Sequence, residues 1–499
     1  MGFFDFWNKP EPQKLTQPFK RAYAAASVSR LFNDFNPTNQ SADGELADSL
    51  PKLRARSRDL ARNNEYVKRY LSLLKNNIVG ERGFTLQVKA KGDSKMLDMN
   101  GNQAVEDAFK AWGRLGNCTV DGRMNWNDAQ KLAIESMARD GEIFIIKHRS
   151  GAFKDSFAIE FIEADQVDEA LNDTTKTGNK IRMGIELDKF KRPVAYYIKA
   201  AKPGEFEYSA GSTKHTRVDA SRVIHLYMPL RAGQTRGEPW MAPAISAIKQ
   251  LGALREAAVI NARVGASKMG FFTSPAGDGF LADDMDGQVQ ITDAEPGTFH
   301  QLPAGTELTT FDTQYPSNEF ESFHKAVLKG IASGLNVSYT SISNDLEATS
   351  YSSIRQGALE ERDAYKNMQN FVAEHFVRPI YESWLASAME NGSLSLPLPL
   401  TTFDKFANAS EFRGRAWSWV DPQKEMTAAV MGMKNGILSL QDVAGQYGKD
   451  TEELLAQIQK DKELAEQFGI TYALEPYGAQ FMPVLPENHG AGAPEDGAE

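Results

Sequence analysis

The feature that most constrains the fold of this chain is a long helical pattern over about residues 352–389. Apolar residues recur along it where one side of a helix would be buried, at Leu359, Met368, Phe371, Val372, Phe376, Ile380, Trp384 and Leu385. At 1.5 Å per residue such a helix spans roughly 55 Å, and Pro379 is expected to kink it. A long helix anchored by apolar residues can hold the segment next to it at a fixed place.

The segment before this helix is polar and poor in packing residues. It consists of Asn344, Asp345, Leu346, Glu347, Ala348, Thr349, Ser350, Tyr351 and Ser352. Because a run of this composition lacks the apolar period of a helix or strand, it is predicted to be a flexible loop. The long helix would therefore carry a polar loop at one end.

Length and charge limit the kinds of protein that this chain can be. With 499 residues, 41% of them hydrophobic, it can bury a sizeable core and should divide into roughly two to four structural units. The net charge of -10 argues against a protein that binds nucleic acid tightly, because tight binding needs clustered Lys and Arg that neutralise phosphates. The charge does not exclude a protein through which DNA slides, because an acidic surface around a passage would repel the duplex and prevent tight binding.

Cysteine content and the N-terminal residues exclude further classes. Cys118 is the single cysteine, so it supports neither a disulfide framework nor a multi-cysteine metal site, and it is expected to be a buried structural thiol. No apolar run approaches the roughly 20 residues of a membrane span, and residues 1–7 do not resemble a secretory signal. Residues 1–40 are expected to form a flexible arm.

The region up to about Pro229 switches between the helical period and the strand period, which predicts an α+β domain. Apolar residues at helical spacing over residues 53–78 predict two helices, broken at Asn63 and Asn64. Further helices are expected at 104–112 and 128–139, and strands at 142–148, 157–163, 183–187, 194–199 and 222–227.

The most basic part of the chain lies in its first helices. Residues 52–82 contain nine Lys or Arg and three Asp or Glu. This pattern fits a solvated helix face or a contact between subunits, and contact with nucleic acid is the alternative.

Two helical segments with a β-prone unit between them follow. A helix is expected at 243–269, with an alanine-rich lower half that suits close packing between helices. Residues 273–312 lose the helical period and contain β-prone runs, which predicts a small β-rich unit. The helical pattern returns at 318–333, where Lys325 and Lys329 are four residues apart and would share one exposed face.

The C-terminal part is predicted to be helical until its tail. Helices are expected to begin at Pro422, at a capping box opened by Ser439, and at Thr451. Residues 485–499 consist mainly of Gly, Ala, Pro and acidic residues and are expected to be disordered.

The usual enzyme signatures are absent from the sequence. There is no phosphate-binding loop, no His-Glu-x-x-His, no nucleophile elbow and no dinucleotide-binding glycine pattern. The seven histidines lack the spacing of metal ligands, and Asp283, Asp284 and Asp286 fit an exposed acidic turn better than a cation site. We therefore expect no catalytic residue, no metal site and no cofactor.

In this order, the segments carry residues that resemble the lambda-type portal proteins of tailed phages. The resembling runs are Arg58-Asp-Leu-Ala-Arg-Asn-Asn64, Asn77-Ile-Val-Gly80, Gly233-Gln-Thr-Arg-Gly237 with Pro239-Trp240, Gly334-Leu-Asn-Val-Ser-Tyr339, Ser343-Asn-Asp345, Tyr351-Ser-Ser353, and Trp419-Val-Asp-Pro422 with Lys424-Glu425. Each run alone is weak, whereas their order and spacing over roughly residues 45–470 are specific.

The resemblance implies an α+β portal fold assembled as a homo-oligomeric ring, typically of twelve subunits, at one capsid vertex. The divisions that it implies are a wing (41–240), a stem helix (241–272), a clip (273–312), a second stem helix (313–335), a tunnel-loop region (336–353), a long kinked helix with a return to the wing (354–420) and crown helices (421–484). The implied role is a channel for packaging and ejection of double-stranded DNA.

The resemblance also implies partners and a location. The partners would be the terminase large subunit, head-tail connector or adaptor proteins, and the major capsid protein, with no membrane involved. Because the packaging motor would reside in the terminase, the chain would not be an enzyme. It would belong to the virion after assembly in the host cytoplasm.

Inside such a ring the polar loop 344–352 would contact phosphates through Ser, Thr, Asn and water rather than through firm ion pairs. Lys325 and Lys329 would add a modest positive potential, or would be solvated or paired with a neighbouring subunit. Two other functions stay open from the sequence: a metal-dependent nuclease with an unrecognised carboxylate site, and another head structural protein such as an adaptor.

Overall fold

The computed structural model describes residues 39–92, 96–199, 215–266, 270–273, 307–310, 319–347, 350–417, 422–447 and 451–469. Most of the expected N-terminal arm, the acidic turn at 283–286, most of the β-rich unit and the C-terminal tail lie outside these ranges. Within them, no helix has both the length and the apolar composition to cross a membrane.

The chain begins, within the described residues, with the two predicted helices. Helix α1 covers Ala42–Asn63 and helix α2 covers Glu65–Leu74. The Asn64 side chain accepts hydrogen bonds from the backbone N–H groups of Tyr66 and Val67, so it caps α2 and separates the two helices. The predicted break is therefore confirmed.

Two further helices flank an aromatic core. Strand β1 covers Thr85–Val88, helix α3 Met99–Trp112 and helix α4 Trp126–Asp140. Trp112 is fully buried, donates from Nε1 to the Phe157 carbonyl at 2.9 Å and stacks on Phe109 at 5.4 Å between ring centroids. Cys118 is buried as expected, and burial raises the pKa of its thiol to about 12.

The strands form two antiparallel sheets beside these helices. Strands β2 (Glu142–Arg149), β3 (Phe157–Ile162) and β9 (Val223–Tyr227) form a three-stranded sheet with β2 in the centre. A five-stranded meander follows the chain order, with β4 at Asp173–Thr174, β5 at Lys180–Arg182, β6 at Ile185–Leu187, β7 at Pro193–Lys199 and β8 at His215–Asp219. The sequence predicted β2, β3, β6, β7 and β9.

Two helices and a strand pair come next. Helix α5 covers Ile245–Ala266, strand β10 Gly270–Thr273, strand β11 Glu307–Thr310 and helix α6 Phe320–Gly334. Strands β10 and β11 pair antiparallel, with Gly270 opposite Thr310. The two ends of the predicted β-rich unit are thus joined to each other.

The long helix is present and passes through the core. Helix α8 covers Tyr351–Val372, a π-helical turn covers Ala373–Val377, and helix α9 covers Arg378–Asn391. The wide turn stands directly before Pro379, which cannot donate a backbone hydrogen bond, and the kink itself stays a prediction. Among the predicted packing positions, Val372, Phe376, Ile380, Trp384 and Leu385 are fully buried. Leu359 is 39% exposed, so the packing predicted for it is wrong within this subunit.

The chain then returns to the first domain before its last helices. Helix α10 covers Phe403–Asn408, and strand β12 (Ser410–Arg413) pairs antiparallel with β1. Helices α11 (Pro422–Lys434), α12 (Leu440–Gln446) and α13 (Thr451–Gln467) follow. The capping box of Ser439 with Asp442 is formed as predicted.

Candidate functional site

The polar segment before the long helix begins at a sharply turned helix end. Helix α6 stops at Gly334, and the Val337 N–H reaches back to the Ala332 carbonyl at 3.1 Å. Asn336 has a φ of 55°, in the left-handed region that asparagine tolerates better than most residues. The buried residues Leu335 and Val337 hold this turn against the core.

A short helix, α7 (Tyr339–Ser343), follows the turn. Ser338 caps it by accepting a hydrogen bond from the Ser341 N–H at 3.2 Å. Glu361 of α8 accepts from the Ser338 N–H and, at 2.9 Å, from the Ser341 hydroxyl. The start of α7 is thereby tied to the long helix.

Asp345 ties the other end of α7 to helix α6. Its carboxylate accepts a hydrogen bond from the Tyr339 hydroxyl at 2.9 Å and lies 3.1 Å from Lys325 Nζ. It also accepts from the Glu347 backbone N–H at 3.0 Å, which fixes the next turn of the chain. Lys325 pairs in addition with Glu321 at 2.7 Å, so its charge is matched by two carboxylates of its own subunit.

Electrostatics keep these groups ionised. The hydrogen bond from Tyr339, followed by the contact with Lys325, holds the pKa of Asp345 below its ordinary value. The hydrogen bonds to Glu321 and Asp345 raise the pKa of Lys325 above its ordinary value. Both groups are therefore charged at neutral pH.

Beyond Asp345 the segment turns outward. Leu346 is 61% exposed, and Glu347 is exposed as well. Ala348 and Thr349 lie outside the described residues. Ser350 caps α8 by accepting from the Ser353 N–H at 3.2 Å, so Tyr351 and Ser352 stand in the first turn of the helix rather than in a loop.

The two lysines of α6 differ in their surroundings. Lys325 is held by its two carboxylates, whereas Lys329 Nζ lies 5.6 Å from the centroid of the Tyr339 ring, a cation–π arrangement. The structure therefore brings together Lys325, Lys329, Tyr339 and Asp345 around α7.

Sequence reasoning missed a second charged site, buried between α1 and the sheets. Glu142 is fully buried and accepts from Arg236 Nε at 2.8 Å and from Arg54 at 2.9 Å. It also accepts from His225 Nε2 and from the Gly237 N–H, both at 2.9 Å. All four partners are more than 80 residues from Glu142 in sequence, so no local spacing could have indicated this site.

The two arginines of this site have further partners. Arg236 also donates to the carbonyls of Ala164 and Met183 at 3.0 and 2.7 Å. Arg54 also pairs with Asp165 at 2.7 Å and with Glu169. We call the group formed by Arg54, Glu142, Asp165, Glu169, His225 and Arg236 the buried charge cluster. It joins α1 to both sheets.

Burial and charge oppose each other within the cluster. Burial alone would raise the pKa of Glu142, but Arg236, His225 and Arg54 offset it, and the pKa lies well below the ordinary value. Burial lowers the pKa of His225 from its ordinary value, and this outweighs the opposing effect of Glu142. An ionised Glu142 beside a neutral His225 is the resulting state at neutral pH.

The basic helices at 52–82 use much of their charge inside the subunit. Arg54 is buried in the cluster, and Arg58 pairs with Asp140 at 2.8 Å. Lys75 pairs with Glu135 at 2.5 Å, and Arg69 donates to the Ser341 carbonyl at 3.1 Å. These contacts position helices, whereas Lys52, Arg56, Arg62 and Lys68 of the same stretch are exposed.

Histidines and carboxylates do not assemble into a metal site within the described ranges, where no group of three or more His, Cys, Asp and Glu could hold an ion. Four of the seven histidines have these hydrogen-bond partners: His148 with Glu160, His225 with Glu142, His324 with the Tyr66 hydroxyl, and His375 with the Phe371 carbonyl.

Apolar side chains are exposed on both α5 and α6. Val259 and Ile260 of α5 are 53% and 52% exposed, and Phe323 of α6 is 57% exposed. We call these three residues the exposed α5–α6 residues. More than half of Phe323 stays uncovered by the described residues of this subunit.

Comparison with known proteins gives a consistent result. The sequence matches the family model described as phage portal protein, lambda family, over residues 28–369. It is 31% identical over 476 residues to the probable portal protein of Halomonas phage phiHAP-1, covering 94% of this chain and 90% of that protein. It is 23% identical over 459 residues to portal protein B of Escherichia phage lambda, covering 85% of each.

Two solved particle structures contain chains to which this chain is similar at low identity. The chain is similar to one in the neck of an empty gene transfer agent particle computed with C6 symmetry, with a TM-score of 0.43, 14% identity, and coverage of 80% of this chain and 93% of that one. In the neck of the native particle computed with C12 symmetry, the TM-score is 0.40 at 13% identity, with coverage of 79% and 93%.

The family model covers well over half of the chain, and the relative from Halomonas phage phiHAP-1 aligns along nearly all of it. The observed fold is α+β, as the sequence predicted. The chain therefore belongs to the lambda family of phage portal proteins.

Proposed function

We propose that this chain is the structural subunit of a portal. Copies assemble into a ring at one capsid vertex, and the ring forms the channel through which double-stranded DNA is packaged and ejected. The family to which the chain belongs and the names of its relatives support this role. The ring also serves as the docking platform for the terminase large subunit and for head-tail joining proteins.

The exposed α5–α6 residues support the ring on the side of the structure. They lie on two helices that contact each other and are each more than half exposed, as expected of a surface that another molecule covers. The covering molecule is the next copy of this chain, because a head-to-tail contact repeated with a fixed rotation closes into a ring. We propose twelve copies.

The regions then take these roles. Residues 41–240 are the wing, α5 and α6 are the stem helices, residues 273–312 are the clip and residues 421–484 are the crown. The long helix α8 and α9 holds the segment 344–352 at the channel. The clip faces the terminase and later the connector proteins, and the wing contacts the major capsid protein.

The charge of the chain suits a channel through which DNA slides without binding tightly. Residues 421–499 contain fourteen acidic and five basic residues, so nearly all of the net charge of the chain lies in its C-terminal part. Repulsion between this region and phosphates lowers friction on a passing duplex. Lys329 adds a modest positive potential near the segment 344–352, whereas the charge of Lys325 is matched by Glu321 and Asp345.

The portal acts without catalysing a reaction, since the motor resides in the terminase. DNA incubated with the purified protein and Mg²⁺ or Mn²⁺ should stay intact; cleavage that depends on the metal would favour the nuclease alternative instead. The protein belongs to the virion and is assembled in the host cytoplasm.

Electron microscopy of the purified protein tests the ring. Averaged top views should show a closed ring with an open axial channel, and shells or monomers would refute the proposal. The double change Val259→Asp and Ile260→Asp should abolish rings and leave folded monomers. Phe190→Asp is the matched control, because Phe190 is similarly exposed at 65% but lies in the turn between β6 and β7.

Shortening the polar segment tests the channel. Deletion of residues 346–349 should leave rings intact in micrographs and reduce the DNA packaged or retained per particle. Loss of ring assembly would show that the segment is structural, and normal DNA content would show that it does not act on the DNA.

A further inference from the structure

Helix α7 and the residue that follows it contact three other helices of the subunit. Arg69 of α2 donates to the Ser341 carbonyl at 3.1 Å, and Glu361 of α8 accepts from the Ser341 hydroxyl at 2.9 Å. Asp345, just after α7, pairs with Lys325 of α6 at 3.1 Å. A displacement of α6 is thereby passed to α7 and to the residues that follow it.

Asp345 also sets where the exposed part of the segment begins. From Asp345 to the capping residue Ser350 there are five chain steps, which span at most about 18 Å when fully extended. When both ends of such a loop are fixed, its tip reaches outward by at most half of this length, or about 9 Å. If the Asp345 contact were lost, the free stretch would start at the end of α7, and its maximal reach would grow by on the order of 3 Å.

We propose that Asp345 is a positioning residue that fixes the polar segment to stem helix α6 through Lys325 and Tyr339. The segment then moves with the stem instead of swinging on its own, and its reach into the channel is limited. This inference rests on the proposed function, because it concerns the segment that we place at the channel.

The contacts support an anchor that is local rather than one that holds the whole fold. The Lys325 side chain is 33% exposed and that of Asp345 is 19% exposed. Partly exposed ion pairs of this kind contribute modestly to stability. Tyr339 adds a neutral hydrogen-bond donor at 2.9 Å, so the carboxylate is held by two different groups.

Hydrogen exchange of the purified full-length protein tests the anchor directly. The changes Asp345→Asn, Lys325→Met and Tyr339→Phe should each raise amide exchange of residues 344–347 by about twofold to fivefold. The double variant Lys325→Met with Asp345→Asn should exchange no faster than Asp345→Asn alone, because both remove the same contact. Exchange in α9 and β2 should stay at the wild-type rate.

A matched pair on α8 serves as the control. Asp363 and Lys366 form an exposed ion pair three residues apart at 3.6 Å. Asp363→Asn and Lys366→Met remove the same types of charge at a site that does not contact α7. These control variants should leave the exchange of residues 344–347 at the wild-type rate.

Two results would overturn the anchor: unchanged exchange of residues 344–347 in Asp345→Asn, or an equal rise throughout the protein. DNA content of assembled particles separates the anchor from the channel role. If Asp345 anchors the segment and the segment acts on DNA, the Asp345→Asn variant should form intact rings, and its particles should retain a different amount of DNA from wild-type particles. If local exchange rises while this variant and the 346–349 deletion both retain DNA normally, the anchor stands and the channel role of the segment fails.

Discussion

The buried charge cluster allows a quantitative test through the change Glu142→Gln. Glu142 is fully buried and receives hydrogen bonds from Arg54, Arg236, His225 and the Gly237 N–H. A glutamine has nearly the same shape, so the change removes charge and acceptors without opening a cavity. The change therefore isolates the electrostatic contribution of the cluster.

The magnitude follows from the number of donors. A glutamine keeps one oxygen, which can still accept from the arginines, while its NH₂ group faces donors that formerly had an acceptor. A buried donor without an acceptor costs about 1–3 kcal/mol. Since two arginines also lose a neutralising charge, the free energy of unfolding should fall by about 3–5 kcal/mol, as for other broken buried ion pairs.

Urea unfolding followed by tryptophan fluorescence measures this loss as a lower midpoint with an unchanged slope. Glu186→Gln is the control, because Glu186 is also buried but pairs with the half-exposed Arg217, at 2.9 Å. Water can solvate Arg217 when its partner is lost, so the control should lose about 1–2 kcal/mol. Equal losses in the two variants would refute the argument that burial of both partners sets the cost.

The dependence on pH has a defined sign. The pKa of Glu142 in the folded protein lies below its ordinary value of 4.5, so its contribution is present above about pH 4.5 and is lost as pH falls further. The pKa of His225 is lowered from 6.5, so the unfolded chain binds more protons than the folded one below that pH. Stability of the wild type should therefore decrease from about pH 6.5 downward, and its advantage over Glu142→Gln should shrink below about pH 4.5.

Two further changes test the packing around the cluster and the long helix. Gly237→Ala should destabilise the fold by about 1–3 kcal/mol in the same urea assay, because a Cβ there would lie 2.2 Å from the Gly141 carbonyl oxygen; a wild-type midpoint would mean that the two backbones separate freely. Trp384→Ala should cost about 3–5 kcal/mol, since the ring is fully buried, packs on Phe109 and donates from Nε1 to Asp155 at 3.0 Å. Leu359→Ala, at a 39% exposed position on the same long helix, should change the midpoint far less, and a comparable loss would contradict the packing argument.

Much of the secondary structure was predictable because its signals are local. Asn64 ends one helix and caps the next through bonds to residues two and three positions away. The capping box of Ser439 and Asp442 likewise involves residues three apart. The short strands β4 and β5 were not predicted, since runs of two or three residues are too short to show a period.

Of the candidate site, the sequence indicated the polar segment but not how it is held. Composition alone marked residues 344–352 as poor in packing residues. The pairing of Asp345 with Lys325 depends on how α6, the turn at Asn336 and α7 fold back together, which spacing along the chain does not encode. The helical period over residues 318–333 predicted a helix there but could not tell whether the same subunit covers Phe323.

The sequence by itself determined the order of the elements, the long helix and its polar neighbour, because periodicity, caps and proline act over a few residues. Tertiary structure alone decided which charges meet. Glu142 accepts hydrogen bonds from Arg54 and Arg236, which lie 88 and 94 residues away in sequence. Burial requires such partners, because a carboxylate removed from water stays ionised only where cations and N–H groups surround it. In the same way, packing decided that Lys325 neutralises Asp345 instead of lying unpaired on α6.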